Sequence, residues 1–426
     1  MNELSGKKLL ILGATPNEIP LIQRAQKFGI YTIVTDYNLD HRISPAKDVA
    51  DEYWDISWSN IDKLCELCLA KGVNGVLAGF SEFRVDCMIQ LCERLHFPCY
   101  ANEEQLEITR DKAKFKSECR KYGVPVIREY TSVDEVEKFP VIVKPVDRAG
   151  SIGVGIADSK EILQGAYENA MEKSVIKQVI IEEYITDAIE MDVHYAVCDG
   201  KIILLCTDDI IPAEANKREK KVVQSAWVYP SKYEKKFLES IDPKMRSMIN
   251  GMGIENGTIF FSGFVNNRGE FAFFECGFRL WGEQEFKFDY QKGLMNYLDI
   301  YILHALLGST SLIHMNKKGN SNLKGISLNF YVKEGVISKI EGNDRIEKME
   351  DCFLLIIDGY IGQKCSSSNA ILSKAALIGF SSELPENLKE DVEKTYECFK
   401  VCDEHGEDMI FDRIRAEQVL NWWNEC

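Results

Sequence analysis

Residues 141–155 read VIVKPVDRAGSIGVG, and this stretch decides how the fold is interpreted. Val141–Val146 is a short apolar run that predicts a buried strand, and Lys144 lies near the end of that run. The three glycines of the following loop leave room for backbone N–H groups to close over an anion, where a side chain would obstruct them. A lysine held rigidly by the strand would supply charge to the same anion. A hairpin turn with a surface lysine has the same pattern, so both interpretations remain open on these residues alone.

Upstream of this stretch, the first hundred residues alternate between short apolar strands and amphipathic helices. Strands are expected at residues 8–12, 31–35 and 75–78, and helices at 18–28, 61–71 and 83–95. This alternation predicts a parallel sheet with helices on both faces. The loop Gly13-Ala14-Thr15 and the later Asp36 are similar to a dinucleotide fold. The Gly-x-Gly-x-x-Gly pattern is missing, however, so a nicotinamide cofactor is not expected.

Downstream, the chain predicts an α+β body followed by a third unit. A helix is expected at 111–122, and strands at 179–184, 189–197, 201–207, 258–266 and 270–275. The third unit begins after about residue 311, with strands expected at 325–332, 335–339 and 353–357 and a helix at 388–403. The polar run KKGNSN at 317–322 predicts a linker.

Composition excludes several classes of partner. The chain of 426 residues carries a net charge of −16, which disfavours binding to nucleic acid or to an anionic membrane. No stretch approaches the roughly 20 apolar residues that a membrane-spanning helix needs, and polar Met1–Lys8 does not resemble a secretory leader. The 14 cysteines lack framework spacing, and we therefore expect reduced thiols in a cytoplasmic protein. A homodimer is the default expectation for its assembly.

Two further stretches combine charged and apolar residues. Glu182 and Glu183 end a predicted strand, and Glu190 follows on the next one. Such acids can bond the hydroxyl and amino groups of a nucleoside, although an exposed acidic strand end would look the same. Glu275 and Arg279 lie in a very apolar stretch, where isolated charges are costly. They would either pair with each other or bind a metal ion and a phosphoryl group.

Taken in order, these features resemble the ATP-grasp superfamily, and within it the carboxylate–amine ligases of the L-amino acid ligase type. Biotin carboxylase and the large subunit of carbamoyl-phosphate synthetase are similar at a greater distance. The order is Asp111-Lys112, Gly123-Val124-Pro125, Lys144-Pro145 with the glycine loop, Glu182–Ile185, Glu190-Met191-Asp192 and Glu275–Arg279.

The resemblance covers roughly residues 5–400 and implies an α/β and α+β architecture of three domains. Residues 1–108 would form a Rossmann-like pre-ATP-grasp domain. Residues 109–312 would form a two-lobed ATP-grasp domain whose flap lobe spans about 120–185. Residues 313–426 would form a small C-terminal α+β closing domain.

The resemblance also implies roles for individual residues. Lys112 and Lys144 would contact the phosphates of ATP, and Lys144 and Arg279 would be the catalytic residues that stabilise the transferring phosphoryl group. Glu275 would bind Mg²⁺, or Mn²⁺ in its place. The mobile flap would comprise Gly150, Ser151, Gly153, Val154 and Gly155. The adenine would be held by Glu182, Glu183, Tyr184 and Ile185, and the ribose by Glu190.

The chain departs from the family pattern at the metal site. The family usually has Glu-x-Asn-Pro-Arg, and here Gly277 and Phe278 replace the asparagine and proline. The family also has a metal-binding acid on the preceding strand, whereas the matching stretch Phe261–Phe264 has none. The number of Mg²⁺ ions is therefore open, with a single ion or recruitment of Glu283 as alternatives.

The resemblance implies an ATP-dependent ligase that activates a small carboxylate as an acyl phosphate for attack by an amine. One alternative is a bicarbonate-activating enzyme that forms carboxyphosphate. A second alternative, suggested by the missing acid, is a nucleotide-binding protein without catalysis. The loops Gly13–Thr15 and Gly79–Glu82, at the ends of two predicted strands, are candidates for lining the substrate pocket.

Overall fold

The computed structural model of the protein describes residues 3–148, 152–185, 187–216, 223–284, 286–313, 319–366 and 372–423. Its N-terminal strands are β1 (Lys8–Leu12), β2 (Tyr31–Thr35), β3 (Glu52–Trp54) and β4 (Gly75–Ala78). They form one parallel sheet in the order β3-β2-β1-β4. The central strands are buried on both faces, which explains their unbroken apolar sequences. The predicted parallel sheet is confirmed, and β3 adds a strand that was not predicted.

Helices pack around this sheet, and charged side chains lie at its carboxyl edge. The helices are α1 (Ile19–Gln26), α2 (Ile61–Lys71), α3 (Glu82–Leu95) and α4 (Glu103–Arg110). At the carboxyl edge, a Cβ on Gly13 would lie 2.1 Å from Nη1 of Arg84, and one on Gly79 would lie 2.4 Å from Oε1 of Glu18. Both glycines thereby make room for the Arg84–Glu18 ion pair, whose atoms are 2.7 Å apart.

The flap lobe is a small α+β unit with its own core. It contains β5 (Glu129–Tyr130), β6 (Val141–Pro145), β7 (Gly155–Ala157), α6 (Lys160–Lys173) and β8 (Val179–Glu183). The preceding helix α5 (Lys112–Lys121) packs into the main core through Phe115 and Cys119. The antiparallel strands are ordered β5-β8-β6-β7. Apolar residues of β6 alternate with Lys144, so that Val141 and Val143 enter the core of the lobe and Lys144 faces away from it.

A second, antiparallel sheet of eight strands forms the body of the protein. Its strands are β9 (Ala188–Cys198), β10 (Lys201–Pro212), β11 (Gln224–Tyr229), β12 (Gly257–Asn266), β13 (Phe271–Gly277), β14 (Lys324–Val332), β17 (Cys352–Ile357) and β19 (Ser373–Ser382). Their order is β13-β12-β9-β10-β11-β14-β19-β17. The pairing of β11 with β14 carries the sheet across the domain boundary predicted near residue 312. The division into domains remains a prediction.

Helices cover the large sheet, and short strands complete the C-terminal part. The helices are α7 (Glu234–Ser240), α8 (Asp242–Gly251), α9 (Phe286–Gln291), α10 (Leu298–Leu307), α11 (Asn343–Ile346), α12 (Pro385–Cys398) and α13 (Ala416–Asn421). The short strands are β15 (Gly335–Val336), β16 (Lys339–Glu341), β18 (Lys364–Cys365) and β20 (Lys400–Cys402). Within the described ranges, no helix is both long and apolar enough to cross a membrane. The cysteines described are free thiols.

Two predicted elements differ in the structure. The helix predicted at 388–403 ends at Cys398, because Phe399 is extended and Phe399 and Val401 alternate into the core as a strand does. The strand predicted at 335–339 is two short strands, with β15 paired to β18 and β16 paired to β20. The predicted linker at 317–322 falls partly outside the described residues.

One aromatic contact ties the helix that begins at Lys112 to the large sheet. Phe115 on α5 and Phe261 on β12 stack with ring centroids 6.1 Å apart, and both side chains are buried. We expect Phe261→Ala to destabilise the protein by about 3–5 kcal/mol, because it leaves a cavity at this junction. Thermal unfolding measures the change, and Phe83→Ala, at a ring that is 60% exposed, is the control. Equal melting temperatures for the two variants would contradict this assignment of the core.

Candidate active site

A cleft of about 650 Å³ separates the flap lobe from the large sheet. Both walls contribute predicted site residues: Lys144 and Val154 come from the flap lobe, and Glu275 comes from the sheet. Lys112, at the start of α5, lines the same cleft. The cleft therefore brings together two lysines and a carboxylate that are far apart in the sequence.

Lys144 is held in the cleft by a buried carboxylate. Its Nζ lies 2.5 Å from Glu182, which is fully buried and also pairs with Lys116. The two residues lie on β6 and β8, two residues out of register and so on one face of the sheet, because Lys144 pairs with Ile180 and Glu182 with Ile142. Burial, with the positive charges of Lys116 and Lys112 nearby, holds the pKa of Lys144 well below its usual range. An anion that enters the cleft would stabilise the charged form of this lysine.

Lys112 and Glu275 face each other across the cleft. The Lys112 Nζ lies 3.6 Å from Oε2 of Glu275, whose side chain is 45% exposed. Asp111 caps α5 by accepting hydrogen bonds from the N–H groups of Ala113 and Lys114, and this cap fixes where Lys112 projects. The exposed Glu275 carboxylate is free to take another cation.

Arg279 is not among the residues that line the cleft, but it pairs with Glu82, which does line it. Its Nε is 3.5 Å from Oε1 of Glu82, and its guanidinium lies 5.1 Å from the centre of the Phe260 ring. Arg279 therefore forms an ion pair with Glu82 of the N-terminal region, and Glu275 forms one with Lys112. The mutual Glu275–Arg279 pair considered from the sequence is not the arrangement found. Glu82 also lines the cleft, as expected for the 79–82 loop.

The loop predicted to be a flap connects β6 and β7, and its residues Asp147, Arg148 and Val154 line the cleft. Gly150 and Ser151 lie outside the described residues. Gly153 has a φ of +77°, and a Cβ there would lie 2.8 Å from Cβ of Lys173 and 2.9 Å from Cγ of Pro145. Both the conformation and the crowding require glycine at this position. Gly155 begins β7, where it pairs with Val143.

The residues predicted to hold adenine form the link between β8 and the large sheet. Glu183, Tyr184 and Ile185 line a separate cavity of about 370 Å³, next to Asn266. The N–H groups of Glu183 and Tyr184 donate to the carbonyls of Arg128 and Pro140. Glu182 differs from these three residues, because its carboxylate lies between Lys116 and Lys144.

Glu190, predicted to take the ribose, lies at the start of β9. Its carboxylate accepts a hydrogen bond of 3.3 Å from Nε2 of Gln224. Burial raises the pKa of Glu190 to about 7, against the hydrogen bond from Gln224, and the negative charge of Glu275 adds to the rise. Glu190 and Glu275 therefore interact electrostatically on the same part of the sheet.

Sequence reasoning missed Lys116 and Glu129. Lys116 is fully buried and pairs with Glu129 at 3.0 Å as well as with Glu182. Arg120 approaches the same Glu129. One signal was present: Lys116 is four residues after Lys112, so both lie on one face of α5. The position without an acid, Ser262, pairs with Glu275 on one side and with Asp192 on the other.

We expect Glu182→Gln to destabilise the protein by about 3–5 kcal/mol, because it leaves two buried lysines without their shared carboxylate. The matched control is Glu183→Gln, because the neighbouring side chain is exposed. Thermal unfolding near pH 8 tests the difference. The shared-carboxylate interpretation fails if the two variants melt together.

The chain is similar in sequence and in structure to known proteins. Residues 119–247 match the family described as D-ala D-ala ligase C-terminus. A D-alanine–D-alanine ligase from Fusobacterium nucleatum is 30% identical over 171 residues, which are 39% of this chain and 55% of that relative. The chain thus spans about half the length of this curated relative.

Two solved structures are similar over nearly the whole chain. The L-amino acid ligase from Bacillus licheniformis has a TM-score of 0.75 at 16% identity, covering 94% of this chain and 99% of that one. The biotin carboxylase domain of 2-oxoglutarate carboxylase from Hydrogenobacter thermophilus has a TM-score of 0.77 at 16% identity, covering 98% and 94%. The chain therefore has the fold of the ATP-grasp enzymes, as its motif order predicts, and its residues 119–247 match the D-ala D-ala ligase C-terminus family.

Proposed function

We propose that the protein is an ATP-dependent ligase that activates a small carboxylate as an acyl phosphate and transfers the acyl group to an amine. The observation that carries the proposal is the convergence of Lys112, Lys144 and Glu275 on one cleft of about 650 Å³. Arg279 lies beside this cleft, in contact with its lining residue Glu82. The similarity to a D-alanine–D-alanine ligase and to an L-amino acid ligase supports an amino acid or another small amine as acceptor.

The cleft suits a nucleotide triphosphate with its metal ion. Lys112 and Lys144 supply positive charge for the phosphates, and the flap loop closes over them. Glu275 supplies a carboxylate oxygen on the opposite wall, and Mg²⁺ commonly binds through one or two carboxylates together with substrate phosphates. The similar biotin carboxylase domain was crystallised with MgADP, which supports the same assignment. Mn²⁺ is an alternative ion.

The first chemical step is in-line transfer of a phosphoryl group. A substrate carboxylate oxygen attacks the γ-phosphorus, the bond to the β-phosphate oxygen breaks, and ADP leaves. Lys144 exchanges Glu182 for a phosphate oxygen, and Arg279 stabilises the negative charge on the transferring group. Mg²⁺, when bound, neutralises phosphate charge. Positioning by the two walls supplies most of the rate enhancement.

The second step forms the new C–N bond. The nitrogen of the neutral amine attacks the carbonyl carbon of the acyl phosphate, the carbon–oxygen bond to the phosphate breaks, and the nitrogen loses a proton to the departing phosphate or to solvent. The flap protects the acyl phosphate from water during this step. Arg279 lies beside Glu82, so we infer that the substrates enter from the N-terminal sheet side.

Bicarbonate activation is the second candidate function. It is favoured by the similarity to a biotin carboxylase domain crystallised with ADP and bicarbonate. The missing acid at Ser262 favours a third candidate, a nucleotide-binding protein without turnover. A phosphate-release assay with ATP and Mg²⁺ separates the three, using amino acids singly and in pairs, other acid–amine pairs, and bicarbonate alone. Release that requires both an acid and an amine supports the ligase. Release with bicarbonate alone, or no release at all, contradicts it.

We expect Arg279→Lys to reduce phosphate release by about 100-fold or more, because a single ammonium cannot replace a planar guanidinium on a transferring phosphoryl group. Nucleotide binding should change little. Steady-state rates with the best substrate pair provide the measurement, and Arg268→Lys in the exposed β12–β13 turn is the control. Unchanged turnover in the Arg279 variant would remove this role.

Nucleotide binding should depend on pH through Glu190, whose raised pKa of about 7 makes it neutral below that pH and charged above it. Only the charged carboxylate is a strong acceptor for the ribose hydroxyls. We expect ADP to bind the wild type and Glu190→Gln about equally at pH 6, and the wild type about fivefold more tightly at pH 8. Calorimetric titration at both pH values tests this. The assigned role would be contradicted if the difference in ADP affinity between the wild type and Glu190→Gln stayed constant with pH or widened toward pH 6.

A further inference from the structure

A second cluster of potential ligands lies deeper in the large sheet. His194 is on β9, and Cys206 and Asp208 are on β10, the next strand along the chain. Their side chains are 3%, 0% and 1% exposed. One ligand atom from each residue lies within 4.8 Å of the others. We propose that these three residues form a buried zinc site that holds the β9–β10 hairpin together.

Strand register explains why the three side chains meet. His194 pairs with Cys206, and Asp192 pairs with Asp208, across the antiparallel β9–β10 ladder. Residues that pair directly, and residues two apart on one strand, share a face of the sheet. Imidazole, thiol and two carboxylates therefore project from the same face, within one hairpin.

The charges on this face point to a cation. Oδ1 of the buried Asp208 has no hydrogen-bond partner within the described part of the chain, and the buried Asp192 carboxylate lies beside the Ser262 hydroxyl. Buried carboxylates without partners are costly, whether they stay charged or take up a proton. In the described part of the chain, the Asp208 carboxylate contacts His194, whose Nε2 lies 2.9 Å from Oδ2. A divalent ion between His194 and Asp208 would satisfy the remaining oxygen.

The surroundings of the cluster suit a closed site. The His194 ring lies edge-on to Trp281 at a centroid distance of 5.2 Å and near Phe260 at 6.3 Å. The carboxylate of Asp289, at the buried side of α9, is close enough to interact with the Cys206 thiol and with Asp208. Asp192 and Asp289 are thus the two candidates for a fourth ligand.

The donor set selects the metal. One nitrogen, one sulfur and carboxylate oxygens suit Zn²⁺, whereas Mg²⁺ and Ca²⁺ prefer oxygen ligands alone. With bonds of about 2.0–2.3 Å, tetrahedral zinc places its ligand atoms about 3.3–3.8 Å apart. The ligand atoms of the three residues lie within 4.8 Å of one another, and small side-chain rotations would bring them to the separation that zinc requires. Cys206 would bind as the thiolate and release its proton to solvent.

This site is separate from the nucleotide cleft. Glu275, Ser262, Asp192 and Asp208 lie in one row across β13, β12, β9 and β10. Three strand spacings of about 4.8 Å put Asp208 roughly 14 Å from Glu275. Because the three ligands lie within 15 residues of the chain, the ion would bind as the hairpin forms and would stabilise the sheet beneath the cleft.

The test measures zinc directly on the full chain. Protein produced with added zinc is dialysed against metal-free buffer, and its metal content is determined by mass spectrometry. We expect close to one zinc per chain in the wild type, and zinc affinity weaker by about tenfold or more in Cys206→Ser and His194→Gln. Cys198→Ser and His304→Gln are matched controls that should retain the metal, because Cys198 and His304 lie outside the cluster. Asp192→Asn and Asp289→Asn identify the fourth ligand.

Cobalt provides a second measurement that does not require the variants to fold. Wild-type protein reconstituted with Co²⁺ should show a thiolate-to-cobalt charge-transfer band in the near ultraviolet. The proposal is overturned if wild-type protein holds no stoichiometric zinc and shows no such band with Co²⁺. It is also overturned if Cys206→Ser folds and binds zinc as the wild type does. Neither result bears on the ligase assay, which does not use these residues.

Discussion

The arrangement of the candidate active site depends on one carboxylate, that of Glu182. It lies fully buried between Lys116 and Lys144 and is the charge that allows these two lysines to be buried between α5 and the flap lobe. The Lys116–Glu182 ion pair joins α5 to β8, and the Lys144–Glu182 ion pair joins β6 to β8. Together they determine where Lys112 meets Glu275. Without a nucleotide the cluster is balanced internally. With one, Lys144 can turn to a phosphate while Lys116 keeps Glu182, so the lobe gains a binding site without exposing an unpaired buried charge.

The large sheet links the binding site to the rest of the molecule. One face carries Glu190 and Glu275 at the cleft end, and His194, Cys206 and Asp208 further along. The N-terminal parallel sheet reaches the same region through the contact of Glu82 with Arg279. A ligand in the cleft would thus touch three parts of the chain, which is what the protection of a reactive intermediate requires.

Much of this could be predicted from the sequence, because it rests on local pattern. The parallel sheet followed from apolar runs separated by helical periods, and the strand carrying Lys144 followed from Val141 and Val143 on either side of it. Long-range pairing could not be predicted in this way. The contact of β11 with β14 joins segments about 100 residues apart, and nothing in either segment marks its partner. The helix predicted to reach residue 403 ends at Cys398. Its last residues include the buried Phe399 and Val401, and the pairing of β20 with β16 is what makes this segment a strand.

For the site, the sequence identified the residue types, and the structure supplied their partners. Lys116 is one of several lysines in α5, and only its complete burial distinguishes it. The family resemblance implies that Glu182 holds adenine, and the strand register places its carboxylate beside Lys144. Arg279 was recognised by its position after Glu275, but its contact with Glu82 crosses between parts of the chain almost 200 residues apart.

In the proposed mechanism, charges from both walls of the cleft act on one triphosphate. A crystal structure with Mg²⁺ and a non-hydrolysable ATP analogue would show whether they do. We expect the phosphates to lie between Lys144 and Glu275, with Lys144 released from Glu182 and Lys116 still bound to it. An analogue bound elsewhere, with the Lys144–Glu182 pair intact, would rule this mechanism out.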